Sequence, residues 1–275
     1  MGIRLGANQY GKAENRVVRV YRETDVHVLR DLNVSTSLRG RFDDAHVTGD
    51  QKDVLPTDTQ KNTAFAFAKE KGVGAIEDYA LSLGRHFVEA SSAIEGARVA
   101  VEEYPWERIG DHSFVRAGGG VRTTVVDVSE SGATVVSGLK DLVVMNTTGS
   151  EFHGFLRDKY TTLQDTHDRI LATSLVAEWE YDGTEVDWDA SYDSIRATML
   201  DRFVGIHSLA LQQTLYGMGE AVLEKHPVVK QISFSAPNKH HFLVDLSPFG
   251  VENNGEVFIA ADRPYGLIEA TVVRD

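Results

Sequence analysis

Hydrophobic positions recur with a period of two along some stretches of the chain and with a helical period along others, and this pattern sets the predicted elements. Val18 and Val20 flank Arg19, and Val26 and Val28 follow across Thr24-Asp25, so two strands joined by a hairpin are predicted there. The polar stretch Asp43 to Pro56 reads as a loop. Thr57, Asp58 and Thr59 are each plausible N-caps for a helix running to about Lys71-Gly72. Ile76, Tyr79, Ala80, Leu83 and Phe87 then fall on one helical face. Strand-like segments around Arg98–Ile109 and Val121–Val128 complete the first half.

The second half repeats this order. Ala133–Thr147 and Ile170–Trp188 read as long strands, and within the latter Leu175, Ala177, Trp179 and Tyr181 alternate with Glu178 and Glu180. Tyr192, Ile195, Met199 and Phe203 predict one helix, and Leu211, Leu215, Met218 and Val222 predict another that stops at His226-Pro227. Strands are predicted again at Gln231–Ser235, His241–Leu246, Val257–Ala261 and Ile268–Val273. Strand, strand, helix, helix, strand, strand thus occurs twice, as a repeat of element order with only slight identity between the halves. The expected class is α+β, with two antiparallel sheets, each bearing a helix pair on one face. The expected division is 1–132 and 133–275. Two such sheets side by side would leave open edges and one bare face, so a homo-oligomer is expected.

Composition narrows the classes. The formal net charge is -13, from 28 basic and 41 acidic side chains, the opposite of the balance a duplex-binding protein needs to neutralise phosphates. There is no cysteine, which excludes disulfides, thiolate nucleophiles and Cys-ligated zinc. No apolar run approaches the roughly 20 residues of a membrane span. Residues 1–12 show no signal-peptide apolar core, and the end Val273-Arg274-Asp275 is not a peroxisomal tripeptide, so a cytoplasmic protein is expected. There are ten histidines but no HExxH run, and His240-His241 would point to opposite faces of a strand, so no catalytic metal is expected. Gly118-Gly119-Gly120 reads as a hairpin loop rather than a phosphate cradle.

Polar and aromatic residues concentrate where the core pattern lapses. The segments are Gln9 to Lys12, Thr57 to Thr63, Ser150 to Thr173, His207 to Gln213 and Pro237 to Phe242. The run Ser150-Glu151-Phe152-His153-Gly154-Phe155-Leu156-Arg157-Asp158-Lys159-Tyr160-Thr161-Thr162-Leu163, continuing to Asp168-Arg169, resembles the signature of the urate oxidase family. Thr57-Asp58 with Lys61-Asn62-Thr63, and Pro237-Asn238-Lys239-His240, match the same family in order and spacing. The resemblance implies the tunnelling fold, with two tandem units per chain and sheets joined between subunits into a barrel. It further implies a homotetramer with active sites at subunit interfaces, urate and dioxygen as substrates, and no cofactor.

The resemblance also assigns roles residue by residue. Arg169 corresponds to the arginine that grips urate, for which a planar fork of donors suits an anionic purine edge; read alone, Arg169 has the alternative of pairing with Asp165 or Asp168. Gln212 corresponds to the amide on the opposite edge, where a donor beside an acceptor fits a lactam. Leu211 corresponds to a position whose backbone N–H contacts the ligand, and by itself also reads as helix core. Phe152 corresponds to the ring that stacks on the purine, with an ordinary core phenylalanine as the alternative. Lys12 and Thr57 correspond to the catalytic pair, in which a partly desolvated lysine takes up the proton of a hydroxyl; the alternatives are an exposed amine and a helix cap. Asp58 corresponds to a residue whose backbone touches substrate. Asn238 and His240 correspond to the pair at the oxygen and water site, His240 orienting the catalytic pair or carrying a proton.

The implied reaction converts urate, dioxygen and water to 5-hydroxyisourate and hydrogen peroxide. Two other classes compete with it. One is a different tunnelling-fold reaction on a pterin or purine, which would anchor the ring with a glutamate. The other is a purine-binding or structural protein, which would not keep both Lys12 and Thr57. Loss of urate absorbance in air with peroxide formation separates the first reading from both.

Overall fold

The computed structural model describes residues 2–275 and divides the chain into two compact units. The first unit comprises residues 1–138 and 180–192, and the second comprises 139–179 and 193–275. Antiparallel sheets with helices packed on them give the α+β class expected.

In the first unit β1 (Asn15–Tyr21) pairs with β2 (Val28–Gly40), β2 with β3 (Ile94–Glu103), and β3 with β6 (Val121–Ser129), all antiparallel. The hairpin predicted at Thr24-Asp25 is present. In β2, Val34, Thr36 and Leu38 are buried while Ser35 and Ser37 face away, the period-two pattern of a half-covered strand. Helix α2 (Thr57–Glu70) and helix α3 (Ile76–Ala90) lie between β2 and β3 in sequence. All five apolar positions predicted for α3 are buried, and the helix packs on β3 and β6. Beneath it the Arg122 guanidinium bridges Glu77 at 2.8 Å and Asp189 at 2.5 Å, while Ser137 donates to the other Glu77 oxygen at 2.6 Å. A buried cation is tolerable only when paired in this way.

Three predictions fail in this unit. The segment Asp43 to Pro56 includes a short helix, α1 (Asp43–Val47). Arg98–Ile109 is not one strand, because Tyr104-Pro105 ends β3 and the chain restarts as β4 (Trp106–Gly110), which pairs, among the described residues, only with β5 (Ser113–Arg116). None of Thr57, Asp58 and Thr59 caps α2. Pro56 occupies the N-cap with extended backbone, and Thr57 is the first helical residue.

Strand β7 (Gly132–Asn146) starts in the first unit and ends in the second. The second unit contains most of β8 (Leu171–Tyr181), most of helix α4 (Trp188–Gly205), helix α5 (Leu211–Lys225), β9 (Val229–Leu243) and β10 (Phe258–Val273). The strand predicted to reach Trp188 stops at Tyr181, because Gly183 takes a positive φ and the Asp187 side chain accepts from the Ala190 N–H at 3.2 Å to start α4. Helix α5 ends where predicted, with His226 as C-cap. It lies on β9 and β10, and a Cβ on its Gly219 would sit 2.5 Å from Val272 Cγ2, so only glycine permits that approach.

The four strands predicted after residue 230 are two long ones. Pro237 sits opposite Leu267 without breaking the antiparallel ladder of β9 and β10. The ladder shifts register between Ala261 and Gly266, which loops Pro264 out of the pairing. Among the described residues no helix is long and apolar enough to cross a membrane.

Candidate functional site

In the first unit, Lys12 is held by its backbone. The Thr36 N–H donates to the Lys12 carbonyl at 2.8 Å, and the Lys12 N–H donates to the Thr36 hydroxyl oxygen at 3.3 Å. This contact needs Gly11, since a Cβ there would sit 1.8 Å from the Thr36 carbonyl oxygen. The Thr36 hydroxyl donates in turn to the amide oxygen of Gln60 at 2.7 Å, and Gln60 is fully buried in the first turns of α2. Thr57 opens that helix, half-buried, and its hydroxyl has no hydrogen-bond partner among the described residues. Asp58 is exposed and binds Lys61 and Asn62. Lys61, then Asn62 and Lys12, hold its carboxyl below the usual carboxylate range. Lys12, Thr57 and Asp58 are therefore gathered at the N-terminus of α2, where free backbone N–H groups favour an anion.

In the second unit, the segment after β7 is tied to the start of α5. The Glu151 N–H donates to the Ser208 carbonyl at 2.7 Å, and the Ser208 N–H donates to the Gly149 carbonyl at 2.9 Å. Phe152 and Thr166 exchange both backbone hydrogen bonds, at 2.8 and 2.9 Å, and the Arg169 N–H donates to the Ser150 carbonyl at 2.9 Å. These bonds bring Phe152, Arg169 and the first turn of α5 together. The Arg169 guanidinium carbon lies 5.2 Å from the Phe152 ring centroid, and its Nε donates to the Ser150 hydroxyl at 3.3 Å.

The ion-pair alternative for Arg169 does not occur. Asp165 pairs with Arg157 at 3.2 Å, and Asp168 accepts from the Thr148 hydroxyl at 2.9 Å and the Gly149 N–H at 3.1 Å. Among the described residues no carboxylate reaches Arg169. Burial lowers the guanidinium pKa from its usual value, the sign expected of a cation withdrawn from water without an anion beside it. Leu211 and Gln212 are the first two residues of α5; Leu211 is buried and Gln212 exposed. Ala210 supplies no side-chain cap, so the first-turn N–H groups remain available.

Asn238 and His240 lie two residues apart on β9, hence on one face of the strand, opposite Gly266 and Ala261 on either side of the register shift. Both are half-buried, and the His240 ring stacks on Phe242 at 5.7 Å. Four residues that position these groups had no individual role in the sequence reading, namely Thr36, which lies outside the segments picked out there, and Gln60, Ser150 and Ser208, which lie inside them. Each is a small or polar residue buried within a regular element or turn, and only its partner across the fold reveals its role.

Comparisons with known proteins show which proteins the chain is similar to. A family model described as Uricase matches residues 8–127 and 135–269. The chain is 55% identical to the uricase of Arthrobacter globiformis over 98% of this chain and 90% of that one. It is 38% identical to the uricase of Dictyostelium discoideum over 97% of this chain and 96% of that one. A crystal structure of the Arthrobacter globiformis uricase superposes with a TM-score of 0.97 at 54% identity, covering all of this chain and 96% of that one.

Proposed function

The chain belongs to the uricase family, and from that premise we propose that Lys12, Thr57, Asp58, Phe152, Arg169, Leu211, Gln212, Asn238 and His240 form one urate-oxidising centre. The protein is an oxidoreductase, and its activity is oxidation of urate in urate degradation. Urate, dioxygen and water give 5-hydroxyisourate and hydrogen peroxide. The observation that carries the site is Arg169, a half-buried guanidinium beside an aromatic face with both neighbouring aspartates committed elsewhere. A flat organic anion supplies what that guanidinium lacks.

In this reading urate lies against Phe152, with Arg169 on one edge and Gln212 on the other, and the Leu211 N–H at the head of α5 completes the cradle. The Thr57 hydroxyl, with Lys12 as proton acceptor, removes a second proton from urate. The dianion transfers an electron to dioxygen, and recombination forms a peroxide adduct on a ring carbon. Hydrogen peroxide leaves and water adds. Asn238 holds dioxygen and then water, and His240 carries protons between water and the Lys12–Thr57 pair. No step is assigned to a metal or cofactor.

The Lys12 group and the Arg169 group belong in this reading to different copies of the chain in a homotetramer. The second unit supports association, because α5 covers one face of its sheet while Val143, Met145, Phe242, Leu243, Ile259 and Leu267 are exposed on its strands. The two tandem units are read as tunnelling-fold repeats, 1–132 and 133–275, whose sheets join between subunits into a barrel. The test is an aerobic assay at the ultraviolet absorbance of urate with peroxide detection. Absorbance loss with peroxide, unchanged by chelators, is expected; no loss, or dependence on a metal, overturns the mechanism.

A further inference from the structure

The bridge between Phe152 and Thr166 does more than place an aromatic ring. Side chains alternate across a paired strand, so Phe152 and Thr166 share one face while Glu151, His153 and His167 share the other. On that second face one carboxylate oxygen of Glu151 meets two imidazoles. Its Oε2 lies 2.9 Å from His153 Nε2 and 3.7 Å from His167 Nδ1, and the two rings are 4.6 Å apart between centroids. The donor atoms of all three residues lie within 4.8 Å of one another. The other carboxylate oxygen, Oε1, faces His207 Nε2 at 2.5 Å. None of these four side chains has a part in the urate mechanism above.

We propose that Glu151, His153 and His167 form a binding site for a divalent transition-metal ion of the zinc and nickel type, with His207 fixing the carboxylate. Zinc bonds of about 2.0–2.2 Å to nitrogen and oxygen put tetrahedral donors roughly 3.4 Å apart. The observed spacings bracket that value. Rotation of the imidazoles closes the remainder, because the His153 and His167 side chains are exposed. The backbone beneath needs no rearrangement, since Glu151, Phe152 and Arg169 are each anchored by main-chain hydrogen bonds. Two imidazoles and one carboxylate leave a fourth position for water. Such a mixed nitrogen and oxygen set favours zinc, nickel or cobalt, whereas magnesium and calcium require mostly oxygen donors. His207 then acts as the outer partner that orients a ligating carboxylate, a common companion of metal ligands. The alternation of side chains about this single bridge puts the ion on the side away from the Phe152 ring.

The site is independent of the urate reading and is tested without turnover. Untagged, chelator-dialysed full-length protein is titrated calorimetrically with zinc chloride and, separately, with magnesium chloride. Saturable binding of one zinc per chain is expected, with none for magnesium. His153→Ala and His167→Ala should each weaken zinc binding by more than the 10- to 100-fold typical of losing an outer partner, and His207→Ala should fall within about that range. Zinc should raise the thermal midpoint of the parent protein but not of the double variant H153A/H167A. These side chains are exposed, and far-ultraviolet circular dichroism establishes that the variants fold. Absence of saturable binding, or equal affinity in the double variant, overturns the proposal and shows that Glu151 serves only as a hydrogen-bond acceptor for its histidines.

Discussion

The Thr36 hydroxyl and the Gln60 side chain, joined at 2.7 Å inside the first unit, couple the segment that carries Lys12 to the helix that begins at Thr57. Neither residue is in the proposed chemistry, yet the relative position of a primary amine and a hydroxyl depends on both. Thr36→Val keeps the shape of the side chain and deletes both hydroxyl bonds, the one to Gln60 and the one from the Lys12 N–H. Leaving the Gln60 amide oxygen buried without a donor should cost about 1–3 kcal/mol of stability. Urea unfolding measures this. Turnover should fall while affinity for a urate-like inhibitor stays near the parent value, because the aromatic and guanidinium contacts are elsewhere.

Lys12→Met addresses the relay itself. The substitution removes the proton acceptor and retains most of the apolar stem. Turnover should fall by at least the roughly 100-fold attributed to a general base, with a much smaller loss of inhibitor affinity. Equal losses in both quantities would contradict a role in proton transfer.

Arg169→Ala should have the reverse emphasis. Binding of the inhibitor should become undetectable in a direct titration, since the only cation assigned to the purine edge is gone. Arg169→Lys should restore little, because a point charge cannot present two parallel donors. Retained affinity in either variant removes Arg169 from the site.

Gly219→Ala tests the packing of α5 on its sheet. The new methyl would meet Val272 Cγ2 at 2.5 Å and Ile232 Cγ2 at 3.2 Å, so the helix must shift. A loss of about 1–3 kcal/mol is expected. The head of this helix supplies Leu211 and Gln212, so inhibitor affinity should drop together with stability.

Glu103 gives a pH signature. It pairs with Arg30 at 2.8 Å, but burial outweighs that attraction and raises its carboxyl pKa above the usual value. A carboxyl raised on folding binds its proton more tightly in the native state. Its contribution to stability is therefore complete below the ordinary value of about 4.3 and is lost as pH rises through the native value. The difference in unfolding free energy between the parent and Glu103→Gln should change with pH in that window and flatten above it. A constant difference from pH 4 upward contradicts the assignment.

Periodicity in the sequence determined much of this protein. The five apolar positions of α3, the strand at Val121–Val128, the stop of α5 at His226-Pro227 and the doubled element order are local consequences of which residues seek burial, and such patterns survive in one dimension. The signature around Phe152 and Arg169 identified the family because residue order and spacing are themselves one-dimensional. Tertiary structure decided the rest. A strand was expected to stop at Ser235 and another to start at His241, yet β9 runs unbroken through Pro237, with a register shift in the strand opposite, and no local pattern encodes what lies across the ladder. Arg169 had two adjacent aspartates as plausible partners, and only folding shows that Arg157, Thr148 and Gly149 take them. Thr36 meets Gln60, and Glu151 meets three histidines, through pairings between distant segments. Long-range contacts arise from the packing of whole elements, so their chemistry is absent from any single stretch of sequence.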